Sequence, residues 1–218
     1  MKLFIDSANY QQIKELNLLS IIDGVTTNPS LMAKEGIEGK ENWIKHYSTI
    51  CKLVDGPISA EVIATDYEGM LKEGFELAAL HKNIVVKIPM TKNGIRAINE
   101  LTKKEIKTNC TLIFTPAQAL LAAKAGATYV SPFIGRLEDI NEDGLGLIKS
   151  IRTIFDKFNF ESQILAASIR NQNHFLKCAE LGANVLTAPY SIIEKLFDHP
   201  LTTKGLAQFL ADHKRLNG

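Results

Sequence analysis

A lysine inside an apolar run carries the most chemical consequence in this chain. Lys87 sits in the segment IVVKIP at residues 84–89. If that run is a buried strand, an ammonium group there is costly unless it is paired or neutral. Burial disfavours the charged form and leaves a nucleophilic amine. Such an amine attacks a ketone to give an iminium, an electron sink for breaking a C–C bond. Taken alone, Lys87 reads equally well as a strand-end lysine whose head snorkels to water. Two carboxylates shift that balance. Asp6 follows Phe4 and Ile5, and Glu61 follows Ser59 and Ala60, each near the end of another apolar run. Beside one lysine they can serve as general acid and base. Singly, Asp6 reads more readily as a helix cap, and Glu61 reads equally as a structural partner of Lys87.

Further polar residues close other apolar runs: Asn28, Asn109 with Thr111, Ser131, and Ser168 followed by Arg170. Arg136, Ser168 and Arg170 together suit a phosphate monoester, which two guanidiniums and a hydroxyl bind well. The plainer alternative is surface arginines pairing with Glu138 or Asp139.

These groups need a scaffold that brings strand ends together. Short apolar runs at residues 3–7, 24–28, 58–62, 84–89, 109–114, 129–134, 164–169 and 184–189 read as buried parallel strands. Helical patterns separate them. The clearest is Leu147, Ile148, Ile151, Ile154, Phe155 and Phe158, an apolar stripe at spacings of three and four. KAGATYVSPF at 124–133 and ELGANVLTAP at 180–189 look like two copies of one helix-to-strand joint. In each, glycine supplies the left-handed turn after the helix. Eight such units predict a (β/α)8 TIM barrel of the α/β class, one domain over 1–218, with an additional C-terminal helix at 201–216. An open doubly wound sheet is the runner-up, but no GxGxxG follows the first strand.

Alternation along strands groups the polar residues. Phe4 with Asp6, Thr26 with Asn28, Ser59 with Glu61, and Val85 with Lys87 and Pro89 share one parity within their strands. So do Asn109 with Thr111 and Ile113, Tyr129 with Ser131 and Phe133, and Ala166 with Ser168 and Arg170. If those faces point inward, the polar groups meet at the carboxyl ends of the strands, where barrel active sites form.

The totals narrow the classes. The chain has 218 residues, 45% hydrophobic and 22% charged, with a net charge of +1. That balance supplies no general field for nucleic acid or an anionic membrane, and no apolar stretch approaches the ~20 residues a bilayer requires. No signal-peptide core precedes the first strand. Cys51, Cys110 and Cys178 are far apart and odd in number, which reads as reduced, buried thiols in a cytoplasmic protein. His46, His81, His174, His199 and His213 form no HExxH-type pair and reach no expected strand end. They read as surface or helix residues, against a zinc or iron hydrolase. Trp43 and Tyr47 with Ile44 and Ile50 read as helix packing rather than a base-stacking platform.

In six places, in order, the chain resembles the short, single-barrel branch of the transaldolase family: FIDSA at 4–8, GVTTNPS at 24–30, VKIP at 86–89, NCTLIFT at 109–115, SPFIGR at 131–136 and LAASIRN at 165–171. The resemblance implies that Lys87 forms a Schiff base with a donor ketone, and that Asp6 takes and returns the proton of the hydroxyl at the cleaved bond. It implies that Glu61, with Thr111 and a bound water, moves protons during iminium formation and hydrolysis. Asn28, Asn109 and Ser131 would hold the dihydroxyacetone hydroxyls, Phe133 would border the substrate, and Arg136, Ser168 and Arg170 would bind phosphate. The substrates implied are sugar phosphates: fructose 6-phosphate or sedoheptulose 7-phosphate as donor, erythrose 4-phosphate or glyceraldehyde 3-phosphate as acceptor. No metal or organic cofactor is implied. The family works in the cytoplasm, in the pentose phosphate pathway. Its short members are homo-oligomers, commonly decamers of two pentameric rings, in which the C-terminal helix reaches a neighbour.

The similar fructose-6-phosphate aldolase branch, which releases free dihydroxyacetone, typically has glutamine where this chain has Glu61 and tyrosine where it has Phe133. Both positions read as transaldolase here. A sugar-phosphate isomerase or epimerase barrel using Glu61 or Asp6 as base, and a non-catalytic sugar-phosphate-binding scaffold, are the alternatives from other classes.

Overall fold

A computed structural model describes residues 1–217. Gly218, the last residue of the expected domain, lies outside the described residues. Eight parallel strands close into a barrel in chain order. They are β1 (Lys2–Asp6), β2 (Gly24–Thr26), β3 (Ile58–Glu61), β4 (Ile84–Pro89), β5 (Thr108–Ile113), β6 (Tyr129–Pro132), β7 (Gln163–Ala166) and β8 (Val185–Ala188). Around them run α1 (Tyr10–Leu18), α2 (Pro29–Lys34), α3 (Lys40–Leu53), α4 (Tyr67–Ala78), α5 (Lys92–Lys103) and α6 (Pro116–Lys124). These are followed by α7 (Ile134–Glu138), α8 (Gly144–Phe158), α9 (Gln172–Glu180), α10 (Tyr190–Glu194) and α11 (Pro200–Asn217). All eight expected strands are present, and the C-terminal helix is α11. This is the expected TIM barrel.

Two apolar regions hold it together. The larger lies between strands and helices, where the outward faces of the strands meet residues such as Ile98, Leu101, Ile148, Ile151 and Phe155. Each such side chain contributes about 1.5–3 kcal/mol when fully buried. On α8 the expected stripe is buried at Leu147, Ile148, Ile151 and Phe155, while Phe158, in the last turn, is 64% exposed. The smaller region consists of Phe4, Val85, Tyr129, Leu165 and Val185 from the strands and Ala167 just after β7, with Phe4 and Tyr129 edge-on at 6.1 Å. It fills the barrel and forms a floor for the polar groups at the strand ends.

The two matching joints are as expected. Gly126 after α6 and Gly182 after α9 have φ of +93° and +83°. Ala127 and Ala183 each donate back into the preceding helix, to Ala122 and Cys178, before the strand begins.

Several strands end sooner than their apolar runs suggest. Asn28, expected within a strand, is the N-cap of α2 and accepts the Leu31 N–H at 2.9 Å. The next residue is proline at the first helical position, so capping wins over strand extension there. Parity fails in two places. At the end of β7, Leu165 and the following Ala167 turn inward, and Ala166 packs against the helices. On β5 the register shifts between Cys110 and Ile113, with Leu112 at φ +59°, and Ile113 lies in the helix-facing region. An extra residue in one strand reverses the faces beyond it.

Candidate active site

The carboxyl ends of the strands surround a cavity of about 330 Å³. Of the eleven candidate residues, nine line it: Asp6, Asn28, Lys87, Asn109, Ser131, Phe133, Arg136, Ser168 and Arg170. Glu61 and Thr111 are not among the lining residues.

Lys87 is 5% exposed, in the middle of the barrel wall. Its Nζ lies 3.0 Å from Glu61 Oε2 and donates to the Thr27 carbonyl at 2.9 Å. These acceptors compensate the burial of an ammonium group. Glu61 ends β3 and is the register partner of Lys87 on β4. From there it also borders a second cavity, of about 270 Å³, between the barrel and helices α3 and α4. The Thr27 side chain is fixed by the Tyr47 hydroxyl at 2.9 Å, and burial pushes that phenol up to about 12. Tyr47 thus packs inside its helix face as expected, and it also steadies the residue that holds Lys87.

Asp6 ends β1. Its carboxylate accepts from Thr26 Oγ1 at 2.7 Å, and Thr26 Oγ1 in turn lies 2.6 Å from Thr187 Oγ1. The cap of α1 is Asn9, not Asp6, so capping does not account for Asp6. Burial raises the Asp6 pKa above its ordinary value. The Lys87 charge, the Thr26 hydrogen bond and the Lys34 charge oppose that rise without cancelling it. A carboxylate held this way takes up a proton more readily than an exposed one, as general acid–base work requires.

Beyond Lys87, Ser131 Oγ donates to Asn109 Oδ1 at 2.7 Å, and Asn109 Nδ2 donates to Ser59 Oγ at 3.1 Å. This buried chain fixes which end of the Asn109 amide faces which neighbour. Asn28, its Oδ1 engaged as a cap, keeps its amide N–H groups for the cavity. Thr111, opposite Pro89 in register, has a buried hydroxyl with no hydrogen-bond partner in the protein. Orphaned buried hydroxyls are uncommon and point to strain, ligand or function.

At the mouth, Arg136 lies on α7 with its guanidinium 4.9 Å from the Phe133 ring centre. Arg170 pairs with Asp139 at 2.9 Å, the surface pairing foreseen as the plainer alternative, yet both arginines still line the cavity. Ser168 has φ +59°, a left-handed backbone rarely adopted by residues other than glycine. It is clamped there by Ile134 and Gly135, whose N–H groups donate to the carbonyls of Ala167 and Ser168. Strain of this kind persists where the surroundings enforce it, and it gathers at functional sites. The cavity therefore has a buried lysine with Asp6 and Glu61 near it at one end and two arginines at the other.

Residues 3–217 match the family described as Transaldolase/Fructose-6-phosphate aldolase. The chain belongs to this family. Curated relatives agree. A probable transaldolase of Phocaeicola vulgatus is 62% identical over 218 residues, covering all of both chains. Probable transaldolases of Parabacteroides distasonis and Cytophaga hutchinsonii are 62% and 59% identical, again over the full length of both.

Several residues of this family member's site were missed in the sequence. Thr187, Ser30 and Lys34 line the cavity, as does Thr26, which strand parity grouped with Asn28 but which was given no role, and Thr27 holds Lys87 through its carbonyl. The run GVTTNPS contained a signal for the threonines. Nothing local marked Thr187 or Lys34. The three cysteines are free and buried, and burial pushes the thiols of Cys110 and Cys178 up to about 12. Among the described residues, no helix is long and apolar enough to cross a membrane.

Proposed function

We propose that the protein is a transaldolase that works through a Schiff base on Lys87. The observation that carries this reading is the buried Lys87 amine in the cavity wall, 3.0 Å from a carboxylate. The amine attacks the ketone carbon of fructose 6-phosphate or sedoheptulose 7-phosphate. The carbinolamine then loses water as Glu61 and the Thr111 hydroxyl move protons. Asp6 takes the proton of the hydroxyl at the fourth carbon, the bond between the third and fourth carbons breaks, and an aldose phosphate leaves. The electrons of that bond rest on the iminium as an enamine. The enamine attacks a second aldose phosphate, glyceraldehyde 3-phosphate or erythrose 4-phosphate, and Asp6 returns its proton. Water then frees Lys87. Asn28, Asn109 and Ser131 hold the hydroxyls of the three-carbon unit, and Arg136, Ser168 and Arg170 hold the phosphate.

Phe133 favours transfer over release, because a phenyl ring has no group to orient water on the bound unit. The test is glyceraldehyde 3-phosphate formation from fructose 6-phosphate, with and without erythrose 4-phosphate. Sustained formation only with acceptor supports transfer, sustained formation without it makes the protein an aldolase, and none in either case removes the donor assignment.

We also place the enzyme in the cytoplasm, in the pentose phosphate pathway, as a homo-oligomer. Three free, buried cysteines support the compartment. The exposed Leu206, Phe209 and Leu210 of α11, spaced by three and four, support burial of that face against another copy.

A further inference from the structure

The groups at the mouth of the cavity are linked beneath the surface by a histidine. His174 lies in the first turn of α9 and is 2% exposed. Its Nδ1 accepts the backbone N–H of Arg170 at 3.3 Å. That nitrogen therefore carries no proton, and the ring proton sits on Nε2. Nε2 lies 2.6 Å from Glu138 Oε2 and donates to it. Glu138 is the last residue of α7, the helix that carries Arg136. The next residue, Asp139, accepts from the Arg170 guanidinium at 2.9 Å. On the same helix the Gly135 N–H donates to the Ser168 carbonyl at 2.9 Å. A Cβ at Gly135 would fall 2.3 Å from that oxygen and 2.5 Å from Arg170 Cγ, so only glycine permits the approach.

The segment after β7 is thus tied to α7 at its backbone, at its guanidinium and through an imidazole. An apolar side chain could fill the His174 site and serve the core equally well. The imidazole adds a defined distance between two loops, because both its nitrogens are committed. The strained Ser168 backbone lies two residues before Arg170 and needs such constraints to persist.

We propose that His174 is a positioning residue for the phosphate end of the site, with Glu138 as its anchor. The pair sets Ser168 and Arg170 in register with Arg136, so that three groups from two βα loops converge on one phosphate. This rests on the phosphate reading given above. His174 touches no substrate.

The test compares two readouts on the full chain. One is the inhibition constant of inorganic phosphate against fructose 6-phosphate. The other is borohydride trapping of Lys87 with dihydroxyacetone, which carries no phosphate. His174→Phe keeps the volume and removes both hydrogen bonds. It should raise the phosphate constant about tenfold while the trapping rate changes less than about twofold. His174→Asn, whose amide oxygen can accept the Arg170 N–H, should recover most of the loss. Should His174→Phe fail to fold, Glu138→Ala, at an exposed position, should give the same split at about threefold. A parallel change in both readouts, or an unchanged phosphate constant, would overturn the proposal. Arg170→Ala separates the two ideas: if it leaves the phosphate constant unchanged, the phosphate reading itself fails, whatever His174 does.

Discussion

Lys87 Nζ and Glu61 Oε2 stand 3.0 Å apart on adjacent strands, at matching positions of the barrel register. The two side chains are 6% and 14% exposed, so neither can relax fully into water. The carboxylate that compensates the burial of the lysine is also a base within hydrogen-bond reach of its nitrogen.

Glu61→Gln keeps the shape and loses the charge. Turnover should fall about a hundredfold. Glu61→Ala should, in addition, lower unfolding stability by about 3 kcal/mol, because it leaves a buried charge with one carbonyl acceptor. Steady-state rates and urea unfolding measure the two effects. A Gln variant with near-normal turnover would reduce Glu61 to a structural partner.

Asp6 gives a prediction in pH. Its native pKa lies above the ordinary 3.8 because burial outweighs the pull of Lys87, Thr26 and Lys34. Between the ordinary and native values the folded state binds more protons than the unfolded one, so stability falls as pH rises through that window. The penalty is complete above the native value and absent below the ordinary one. Asp6→Asn removes it while keeping an acceptor for Thr26. The variant should therefore melt about 2–4 °C higher than the parent at pH 7 for each ~1 kcal/mol relieved, with the gain shrinking toward pH 3.8 and activity lost. Thermal melts at several pH values check this; a lower melting point at pH 7 would contradict it.

Thr111 has a buried hydroxyl that no protein atom satisfies. Replacing it with the isosteric valine removes that cost, so Thr111→Val should unfold at no lower urea concentration than the parent. If the hydroxyl takes part in carbinolamine dehydration, the same variant should lose about 10- to 100-fold in turnover. Normal turnover would leave Thr111 without a part in the reaction.

The fold was legible because each of its eight strands is a short apolar run, most of them carrying a polar residue at or near the end, and because two joints repeat around glycine. The candidate residues at and beside the cavity were legible for the same reason: Asp6, Glu61 and Lys87 are charged groups in runs that packing alone would keep apolar. Local conformation was less so. Asn28 belongs to a helix cap, and Ser168 reaches the cavity through a left-handed backbone rather than by strand alternation. Their neighbours in space decide such choices. His174 was expected at the surface or on a helix. It is on a helix but buried, because its partners Glu138 and Arg170 are 36 and 4 residues away. A lone histidine in a polar-looking segment gives no sign of a carboxylate that far along the chain. Thr187 is bonded to Thr26 across 161 residues and was hidden for the same reason.

If Lys87 forms the covalent bond to substrate, reduction traps that bond. Borohydride reduction of the protein with fructose 6-phosphate, followed by peptide mass spectrometry, tests it directly. The expected result is a reduced three-carbon or sugar-phosphate adduct on Lys87, with inactivation of the parent and no such adduct in the Lys87→Met variant. An unmodified Lys87 with activity intact after reduction, or substantial turnover by Lys87→Met, would contradict it.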